Sequence, residues 1–367
     1  MRLFQNCGLT PAYLAHLNEL ASPRLAFAQR RAIFLDDRFG ALHLLKPVLD
    51  NDADSFLACG NDEMMQRRWA DEHGIPARSS PAKSSLDDIL LAQIEHHRTE
   101  ILYNLDPVRF PSAFVRRLPG CVRKTLCWRA APSGQADLTA YGAVLGNFPS
   151  ILESWRQKGC RAEWFAPAID PVMDAYGHGE RPIDVLFVGG YSRHHSARGK
   201  ILEHVARLAD SSRIVYCLDA SRLTRLAESF LGRLLPLRKH RRPEAIARIA
   251  KSPVFGRQLY ELIGRSKIVL NGAIDMAGPD RGNMRCFEAF GCGALLLSDQ
   301  GNYPDGMRNE ETMLTYDSSA SCVSQIARCL KDWDRVRAIA EEGRRRIGEA
   351  YGKERQWSSF QAIVAGL

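Results

Sequence analysis

The sequence of 367 residues lacks the features that mark an exported or membrane-spanning protein. Its longest apolar runs, such as residues 183–188 and 294–297, have the length of a strand. A membrane helix needs roughly 20 apolar residues. Residues 1–7 also lack a basic region that leads into an apolar stretch and a small-residue cleavage site. The sequence therefore predicts a cytoplasmic protein.

Several binding signatures are missing as well. The ten cysteines are scattered through a long chain, and pairs such as Cys286 and Cys292 lack the spacing of zinc ligands. There is no three-glycine dinucleotide fingerprint, and no helix-turn-helix, zinc-finger or RNA-binding signature. We therefore expect free thiols, no metal, no cofactor and no nucleic-acid partner.

Charge is unbalanced towards the positive sign. Fifty Lys and Arg residues face 42 Asp and Glu residues, so the formal net charge is +8. Such an excess suits phosphorylated substrates, an anionic membrane or nucleic acid, and a merely solvated basic surface explains it equally well. Charge alone does not select a function, and it is the only feature that favours nucleic-acid binding.

Strand-like runs alternate with segments of helical spacing along the chain, which is typical of parallel sheets covered by helices. In the first half, we predict strands at residues 2–7, 32–36, 55–59, 101–105, 125–128 and 143–147. In the second half, we predict them at 185–188, 214–217, 268–271, 294–297 and 313–316, with three helical segments from residue 319. Residues 168–182 are rich in Pro, Gly and Asp and predict a linker. The fold class is thus α/β, with two doubly wound domains at 1–167 and 183–350 and a ligand cleft between them.

The first candidate binding motif follows the predicted strand at 185–188. Gly189 and Gly190 form a turn, and Arg193, Arg198 and Lys200 come before or at the start of a helix. Free backbone N–H groups and a helix dipole at that position favour phosphate. The motif predicts a diphosphate clamp, and a glycine turn with solvated basic residues is the alternative.

The second motif follows the predicted strand at 268–271. Asn271 ends the strand, a loop with Gly and Pro follows, and Asn283 and Arg285 stand at the start of a short helix. Glu288, one turn onward, can present a carboxylate to hydroxyl groups. Diphosphate at the helix start and ribose one turn along would be neighbours. The alternative is a surface ion pair between Arg285 and Glu288.

At this second motif the sequence resembles a known family. The pattern Arg285-x-Phe287-Glu288-Ala289-x-Gly-x-Gly, followed by an apolar strand, is similar to the donor-binding signature of GT-B glycosyltransferases. The likeness is strongest to glycosyltransferase family 4 and to the spore-maturation CgeB-like proteins. It extends over roughly the last half of the chain, including residues 187–190, 253–260 and 301–306. Agreement is weaker at residues 147–150 and 167–171.

The resemblance implies roles for individual residues. Glu288 matches the glutamate that holds the nucleotide ribose, Arg198 and Lys200 fall where basic residues approach the diphosphate, and Phe255 lies near the base. Many retaining relatives have a second glutamate at the position of Asp280. The resemblance therefore implies retaining transfer. The shorter side chain of Asp280 leaves the stereochemistry open. It also implies that residues 351–367 form a helix that crosses back to the first domain.

The first domain should hold the acceptor. Asp36, Asp37 and Asp106 follow predicted strands, where they could act as a base or bind hydroxyls, and helix caps or loop acids are the alternative. His43 and Trp128 are candidate acceptor contacts or core residues. The two aspartates at positions 52 and 54 imitate a metal-binding pair, but we interpret them as a turn before a strand.

The sequence as a whole predicts metal-independent sugar transfer from a nucleotide-activated donor to a glycan, a lipid-linked or a small-molecule acceptor. Arg198, Lys200 and Arg285 would stabilise the leaving group, with Asp106 as a third catalytic candidate. Residues 238–242 are basic and suggest peripheral contact with an anionic membrane, or a solvated loop. A nonenzymatic nucleotide-binding protein and a nucleotide-sugar epimerase remain the alternative functions.

Overall fold

The structure is a computed structural model that describes residues 1–75, 84–191, 196–233, 237, 240–272 and 277–367. The chain forms two compact units. The first contains Met1–Ala168 together with Lys353–Leu367, and the second contains Ile169–Gly352.

The first unit is built on a six-stranded sheet in which all neighbouring strands run parallel. The strand order is β2-β1-β3-β4-β5-β6. The bounds are β1 Leu3–Cys7, β2 Ser55–Cys59, β3 Ile101–Asn104, β4 Lys124–Trp128, β5 Ala143–Gly146 and β6 Ala162–Trp164. Most of these strand residues are buried, as expected for a parallel sheet covered on both faces.

The second unit contains another parallel six-stranded sheet, with the order β12-β11-β10-β7-β8-β9. The bounds are β7 Ile183–Gly190, β8 Ile214–Asp219, β9 Ala250–Lys251, β10 Ser266–Leu270, β11 Leu295–Asp299 and β12 Leu314–Tyr316. Aliphatic side chains of β7, β8, β10 and β11 pack with α-helical residues in one buried core. The predicted α/β class with two doubly wound sheets is confirmed.

The helices of the first unit, in chain order, are α1 Pro11–Leu20, α2 Phe27–Asp37, α3 Lys46–Leu49, α4 Glu63–Glu72, α5 Ser84–His96, α6 Ser112–Val115 and α7 Pro149–Arg156. Those of the second unit are α8 Ser196–Ala206, α9 Arg222–Glu228, α10 Phe230–Arg233, α11 Glu244–Ile249, α12 Gly256–Gly264, α13 Met284–Gly291, α14 Ser319–Lys331 and α15 Trp333–Ala350. The last helix, α16, spans Lys353–Ala365. Three short 3₁₀ helices span Ala41–His43, Pro171–Tyr176 and Arg207–Asp210.

The last helix is fastened to the first unit by a buried ammonium group. Nζ of Lys353 donates to the backbone oxygens of Ala41, Leu42 and Leu44, at 2.7, 3.1 and 2.8 Å. Nε2 of Gln356 donates to the oxygen of Leu42 at 2.9 Å. Carbonyl groups at the end of a short helix are partners that a cation satisfies well. The start of α16 is therefore fixed against the turn at residues 41–44.

The predicted strand at residues 32–36 is wrong, because these residues belong to α2. The buried positions of α2 are Phe27, Arg30, Phe34 and Asp37, and their spacing of three and four residues places them on one helical face. The buried guanidinium of Arg30 forms two hydrogen bonds with the carboxylate of Asp62, at 2.7 and 3.1 Å. Residues 32–36 are too short an apolar run for periodicity to separate helix from strand, and their tertiary contacts select the helix.

This assignment also corrects the predicted positions of Asp36 and Asp37, which do not follow a strand. The carboxylate of Asp37 accepts a hydrogen bond from the Tyr13 hydroxyl at 2.7 Å and lies 3.6 Å from Nε2 of His16. Because this carboxylate is buried among side chains of α1 and α2, it ties two helices together.

Two further regions differ from the sequence-based expectation. Residues 169–182, for which the sequence predicts a linker, are part of the second unit and contain the 3₁₀ helix Pro171–Tyr176. The strands β6 and β9 were not predicted. They have three and two residues, which is too short for an alternating pattern to be visible.

Candidate functional site

Described residues of both predicted motifs in the second unit lie at one edge of its sheet. Gly189 and Gly190 end β7, and Asn271 directly follows β10. Because all strands of this sheet are parallel, their carboxyl ends meet at the same edge. Ligands of open α/β sheets bind at this edge. The fold therefore brings the two motifs to the position where they can serve one ligand.

Asn271 is the centre of a buried polar network. Its Nδ2 donates to the hydroxyl of Ser298 at 3.0 Å, and its Oδ1 accepts from Nδ2 of Asn283 at 3.1 Å. The hydroxyl of Tyr316 donates to the Asn271 backbone oxygen at 2.6 Å. Asn271 thereby positions the end of β10 against the start of α13, and its side chain is engaged within the protein.

Asn283 is the N-cap residue of α13 and has an extended backbone, with φ −66° and ψ 169°. Its side chain forms no capping hydrogen bond with the helix and bonds to Asn271. The positive end of the helix dipole is therefore held at the carboxyl edge of the sheet without a side-chain cap. Such a helix start favours an anionic group.

Arg285 and Glu288 form an ion pair on α13. Nη1 of Arg285 donates to Oε2 of Glu288 at 2.5 Å. Their side chains are only 17% and 6% exposed, so Glu288 is buried and Arg285 is partly buried, unlike the surface pair considered as an alternative from the sequence. Burial raises the pKa of Glu288, and the positive charge of Arg285 opposes this rise. The arrangement places a carboxylate and a guanidinium within the first turns of the same helix.

Arg198 reaches the same edge from α8. Its Nη2 donates to the backbone oxygen of Gly190 at 2.8 Å. Its side chain also passes beside Gly272, where an added Cβ would lie 3.6 Å from two of its carbons. The Arg198 side chain therefore runs past Gly272, just after β10, to the end of β7.

The other basic residues predicted near Arg198 are placed differently. Lys200 is exposed on α8, and side chains two residues apart on a helix do not face the same way. Arg193 lies outside the described residues. Of the three predicted basic residues, the structure therefore brings Arg198 to the end of β7.

Asp280 lies in a loop that is tied to the end of β11. Asp280 is 4% exposed and forms an isolated β-bridge with Asn302. The adjacent Arg281 donates from Nε to Asp299 Oδ2 at 2.7 Å. At Gly301, an added Cβ would lie 2.5 Å from the backbone oxygen of Pro279. The contribution of Asp299 was not predicted from the sequence, and Gly301 was noted there only as part of the segment 301–306 that carries the family resemblance.

Lys251 and Phe255 lie at and just after the carboxyl end of β9, at the same edge of the sheet. Lys251 is the last residue of β9, and Phe255 is the N-cap residue of α12. Phe255 is half-buried, whereas Lys251 is exposed. Lys251 was not predicted from the sequence, and a basic residue directly before the Ser252-Pro253 pair was the available signal.

In the first unit, Asp106 lies just beyond the carboxyl end of β3. Its carboxylate packs so closely on Gly8 that an added Cβ at Gly8 would lie 2.6 Å from it. Burial raises the pKa of Asp106, and Arg109 and Arg129 oppose the rise. A partly buried carboxyl group at this edge can accept or donate a proton closer to neutral pH than an exposed one.

A buried amide network that the sequence did not reveal supports Asp106. Nδ2 of Asn6 donates to Oδ1 of Asn104 at 2.8 Å, and Nδ2 of Asn104 donates to the Tyr141 hydroxyl at 2.6 Å. Oδ1 of Asn104 also accepts from the Asp106 backbone nitrogen at 3.0 Å. This network fixes the backbone of Asp106 to two neighbouring strands.

His43 and Trp128 lie together, with ring centroids 4.4 Å apart. Both side chains are buried, at 8% exposure each. Burial, with a contribution from the charge of Lys353, lowers the pKa of His43 to about 3. The imidazole is therefore neutral at physiological pH, and the pair forms an aromatic wall near the end of β4.

The aspartates at positions 52 and 54 form the predicted turn. Oδ1 of Asp52 accepts a hydrogen bond from the Asp54 backbone nitrogen at 2.8 Å, just before β2. The described residues contain no group of three or more His, Cys, Asp or Glu side chains arranged to hold a metal ion.

The arginines of the predicted basic run serve packing contacts. Arg242 donates from Nε to Glu228 at 2.8 Å, and Arg241 donates to the backbone oxygens of Ala227 and Gly232 at 3.1 and 3.0 Å. Residues 238 and 239 lie outside the described part of the chain. In the described segments, no helix is both long and apolar enough to cross a bilayer.

Comparison with known proteins gives one family match. Residues 220–361 match the model of a family described as glycosyl transferase-like. This region contains α13 with Asn283, Arg285 and Glu288, the loop with Asp280, and the end of β10. No curated protein matches the sequence.

Solved structures of similar fold extend over the whole chain. HepE of Anabaena in complex with UDP-glucose is 10% identical with a TM-score of 0.59, and the alignment covers 100% of this chain and 99% of HepE. A glycosyltransferase from Rickettsia africae is 10% identical, with a TM-score of 0.54 and coverage of 99% and 97%. A UDP-forming α,α-trehalose-phosphate synthase from Burkholderia xenovorans is 10% identical, with a TM-score of 0.51 and coverage of 99% and 98%.

The resemblance to GT-B glycosyltransferases is confirmed by these comparisons, whereas the narrower likeness to family 4 and the CgeB-like proteins stays a prediction. Residues 220–361 thus match a glycosyl transferase-like family, and the whole chain shares the fold of solved GT-B glycosyltransferases.

Proposed function

We propose that this chain transfers a sugar from a nucleoside diphosphate sugar that binds at the carboxyl edge of the second sheet. The observation that carries the proposal is the convergence of the Arg198 guanidinium, the uncapped start of α13 and the buried Arg285–Glu288 pair at that edge. We propose uridine as the base, because the structurally similar HepE is described in complexes with UDP and with UDP-glucose.

The diphosphate is assigned to Arg198, Arg285 and the amino end of α13. When the sugar–phosphate bond breaks, its electron pair remains on the diphosphate, and positive groups fixed in advance stabilise that charge. Gly190 supports close approach of the donor. Among the described residues no atom lies within 4 Å of an added Cβ at Gly190, and its φ is not positive, so internal packing does not explain the glycine.

We assign the ribose hydroxyls to Glu288 and the base to the neighbourhood of Phe255. The Glu288 carboxylate has one oxygen paired with Arg285, and a carboxylate offers further lone pairs for hydroxyl donors. Asn271 and Asn283 are assigned a positioning role, because their side chains bond to each other. Asp280 is proposed to face the sugar, and Lys200 and Lys251 add exposed positive charge.

The acceptor is assigned to the first unit, at Asp106 with His43 and Trp128. A carboxyl group with a raised pKa can orient or deprotonate an acceptor hydroxyl, and an aromatic wall suits the apolar face of a sugar. The test is Asp106→Asn with its pH profile. Transfer should fall while the UDP dissociation constant stays unchanged, and the decline of activity towards low pH should disappear. An unchanged acid limb in the variant would exclude Asp106 as the titrating group.

Two chemical properties belong to the proposal. The first is transfer without a divalent metal, because the residues assigned to the diphosphate are cationic. The second is retention of the anomeric configuration, which rests on the resemblance to retaining enzymes and on the carboxylate kept at position 280. Proton NMR of the first product formed identifies the anomer, and an inverted product would reject retention.

We further propose a cytoplasmic location with peripheral membrane contact through α9 and α10. Leu223 and Leu226 are 49% and 46% exposed and lie three residues apart on one face of α9, and Phe230, at the start of α10, is 82% exposed. The exposed Arg222 and Arg225 on the same helix suit anionic headgroups. The packing contacts of Arg241 and Arg242 move the proposed membrane contact from residues 238–242 to α9 and α10. Sedimentation with phosphatidylglycerol vesicles tests it, and Phe230→Ser should reduce the bound fraction.

The decisive experiment has two stages. A thermal-shift screen with UDP, other nucleoside diphosphates and their sugars should show a selective rise in Tm, because a ligand that binds only the folded state stabilises it. UDP release from the selected donor is then measured with and without acceptor glycans. Donor binding without any release would favour a nonenzymatic binding protein, and formation of the epimeric sugar nucleotide would favour an epimerase.

A further inference from the structure

A second polar pocket lies at the opposite edge of the second sheet from the proposed donor site. Its volume is about 480 Å³. Arg181 and Gly293 line it, and each lies two residues before a strand, β7 and β11 respectively. Since the strands are parallel, these residues mark the amino edge, whereas the donor residues follow the carboxyl ends. The pocket is therefore separate from the donor site.

The pocket is rich in guanidinium groups. Arg337, Arg344 and Arg345 project from α15, and Arg181 adds a fourth from the segment before β7. The two carboxylates in its wall belong to Asp174 and Glu341. Positions seven and eight apart lie on one helical face, so the α15 arginines extend over about 10 Å of that face. Arg345 is also paired with Glu342 and Glu349, so the positive charge that faces the pocket comes mainly from Arg181, Arg337 and Arg344.

Two glycines allow the guanidinium groups to lie against the backbone. An added Cβ at Gly177 would overlap the guanidinium of Arg344. At Gly293, which has a φ of +68°, an added Cβ would lie 2.9 Å from Nη2 of Arg181. The side chain of Arg344 is only 20% exposed and also contacts Asp174 and His178. These arginines are held in place before any ligand arrives.

Arg181 is a buried cation whose hydrogen bonds go to backbone oxygens. It donates to Ser266 at 2.8 Å and to Gly177 and Cys292 at 3.0 Å each. Burial lowers the pKa of Arg181 to about 10, and the charges of Arg337 and Arg344 contribute to the decrease. Arg337 and Arg344 therefore repel the Arg181 guanidinium, and an anion between these groups relieves that repulsion.

The carboxylates already present are weak competitors. Asp174 and Glu341 are 76% and 62% exposed, and exposed ion pairs are strongly screened by water and salt. A guanidinium forms two parallel hydrogen bonds with carboxylate and phosphate alike, and a phosphate group adds more negative charge and a third acceptor oxygen. A volume of about 480 Å³ and a 10 Å row of cations fit more than one phosphate group.

We propose that this pocket binds an oligophosphate or a multiply phosphorylated small molecule. The inference goes beyond sugar transfer, because the amino edge of the sheet carries none of the residues assigned to donor or acceptor. It assigns the chain a second anion site, at which a phosphorylated effector binds while the donor site is occupied.

Calorimetric titration with inorganic tripolyphosphate tests this proposal, at constant ionic strength and with UDP present at saturation. The wild-type protein should bind tripolyphosphate, and the double variant R337Q/R344Q should bind it at least tenfold more weakly. Arg335→Gln is the matched control, because Arg335 is an exposed arginine of α15 that does not line the pocket. Arg198→Gln is the control for the donor site, and both controls should bind tripolyphosphate as the wild type does.

Three results would overturn the proposal: no binding to the wild type, equal affinity in R337Q/R344Q, or an equal loss in Arg335→Gln. The single variant R337Q removes a side chain that is 60% exposed and guards against a folding defect in the double variant. Undiminished binding in folded R337Q would likewise count against the pocket. Failure of UDP to bind would reject the donor site alone. Tripolyphosphate binding that is weakened in R337Q/R344Q and unchanged in Arg198→Gln would still place the second anion site in this pocket.

Discussion

Arg285 donates from Nη1 to Oε2 of Glu288 at 2.5 Å, and both side chains are largely shielded from water. Burial raises the pKa of Glu288 while Arg285 opposes the rise, so the carboxylate depends on this one cation for its charge. The pair therefore links the proposed ribose contact to the proposed diphosphate contact. Replacing either residue leaves the other charge buried without this partner.

Glu288→Gln should weaken UDP binding by about ten- to a hundredfold, which corresponds to about 1.5–3 kcal/mol for a lost charge-assisted hydrogen bond. Calorimetry gives the dissociation constant, and circular dichroism checks the fold. Glu261→Gln is the matched control, because it removes an exposed carboxylate paired with Arg265 in the same unit. An unchanged dissociation constant in folded Glu288→Gln would remove the ribose assignment.

Arg198→Gln and Arg285→Gln should lower kcat more than they weaken binding of the intact donor. Charge on the departing diphosphate grows as the bond breaks, so a fixed cation stabilises the transition state more than the bound donor. We expect a loss in kcat of about a hundredfold for Arg198→Gln, measured as UDP release from the donor selected by thermal shift.

Arg207→Gln is the control for Arg198, since Arg207 pairs with Glu203 on the exposed side near the end of α8. Equal losses in binding and no change in kcat would show that Arg198 and Arg285 only hold the donor.

Transfer should continue in the presence of EDTA. The residues assigned to the diphosphate are arginines and a helix start, which supply positive charge without an ion. The measurement compares UDP release before and after exhaustive treatment with the chelator. Complete loss of activity that Mg²⁺ or Mn²⁺ restores would reject metal independence.

Acidification should destabilise the protein through His43. Burial and Lys353 lower the pKa of His43 to about 3 in the folded state, against about 6.5 in an unfolded chain. Above pH 6.5 the imidazole is neutral in both states. Between pH 6.5 and 3 only the unfolded chain binds the proton, so stability falls by up to about 1.4 kcal/mol per pH unit.

The check on His43 is the difference in Tm between pH 7.5 and pH 5. His43→Phe keeps a ring against Trp128 and should reduce that difference, whereas His204→Gln, which alters an exposed histidine, should leave it unchanged. The prediction fails if His43→Phe and the wild type show the same dependence on pH.

Gly301→Ala should lower both Tm and UDP affinity. Its Cβ would lie 2.5 Å from the Pro279 backbone oxygen, so the loop that carries Asp280 has to move. At Gly348 in α15 nothing lies within 4 Å of an added Cβ among the described residues. Gly348→Ala should therefore raise stability by about 0.5–1 kcal/mol through helix propensity. Differential scanning calorimetry compares the two, and equal Tm values would contradict the close approach at Gly301.

Much of the architecture was predictable because strong apolar runs bounded by turn residues are local signals. The strands β1, β2, β3, β7 and β10 and the three closing helices fall where the sequence places them. The short helix with Asn283, Arg285 and Glu288 was predicted for the same reason, since its glycine exit and the strand that follows are visible in the sequence. Residues 32–36 and the strands β6 and β9 were not, because brief segments carry too little periodicity to separate strand from helix.

The sequence by itself determined the α/β class, the two sheets and the presence of two candidate phosphate-binding motifs. The spacing of hydrophobic residues and the positions of glycines are local signals that can be read over a few residues. Only the tertiary structure decided that Arg198 meets Gly190, that Arg285 and Glu288 are buried together, and that Asp37 serves helix packing. It also decided that Arg181 and three arginines of α15 line one pocket at the amino edge. Burial and long-range pairing depend on which elements come together in space, and no local pattern encodes the distances that result.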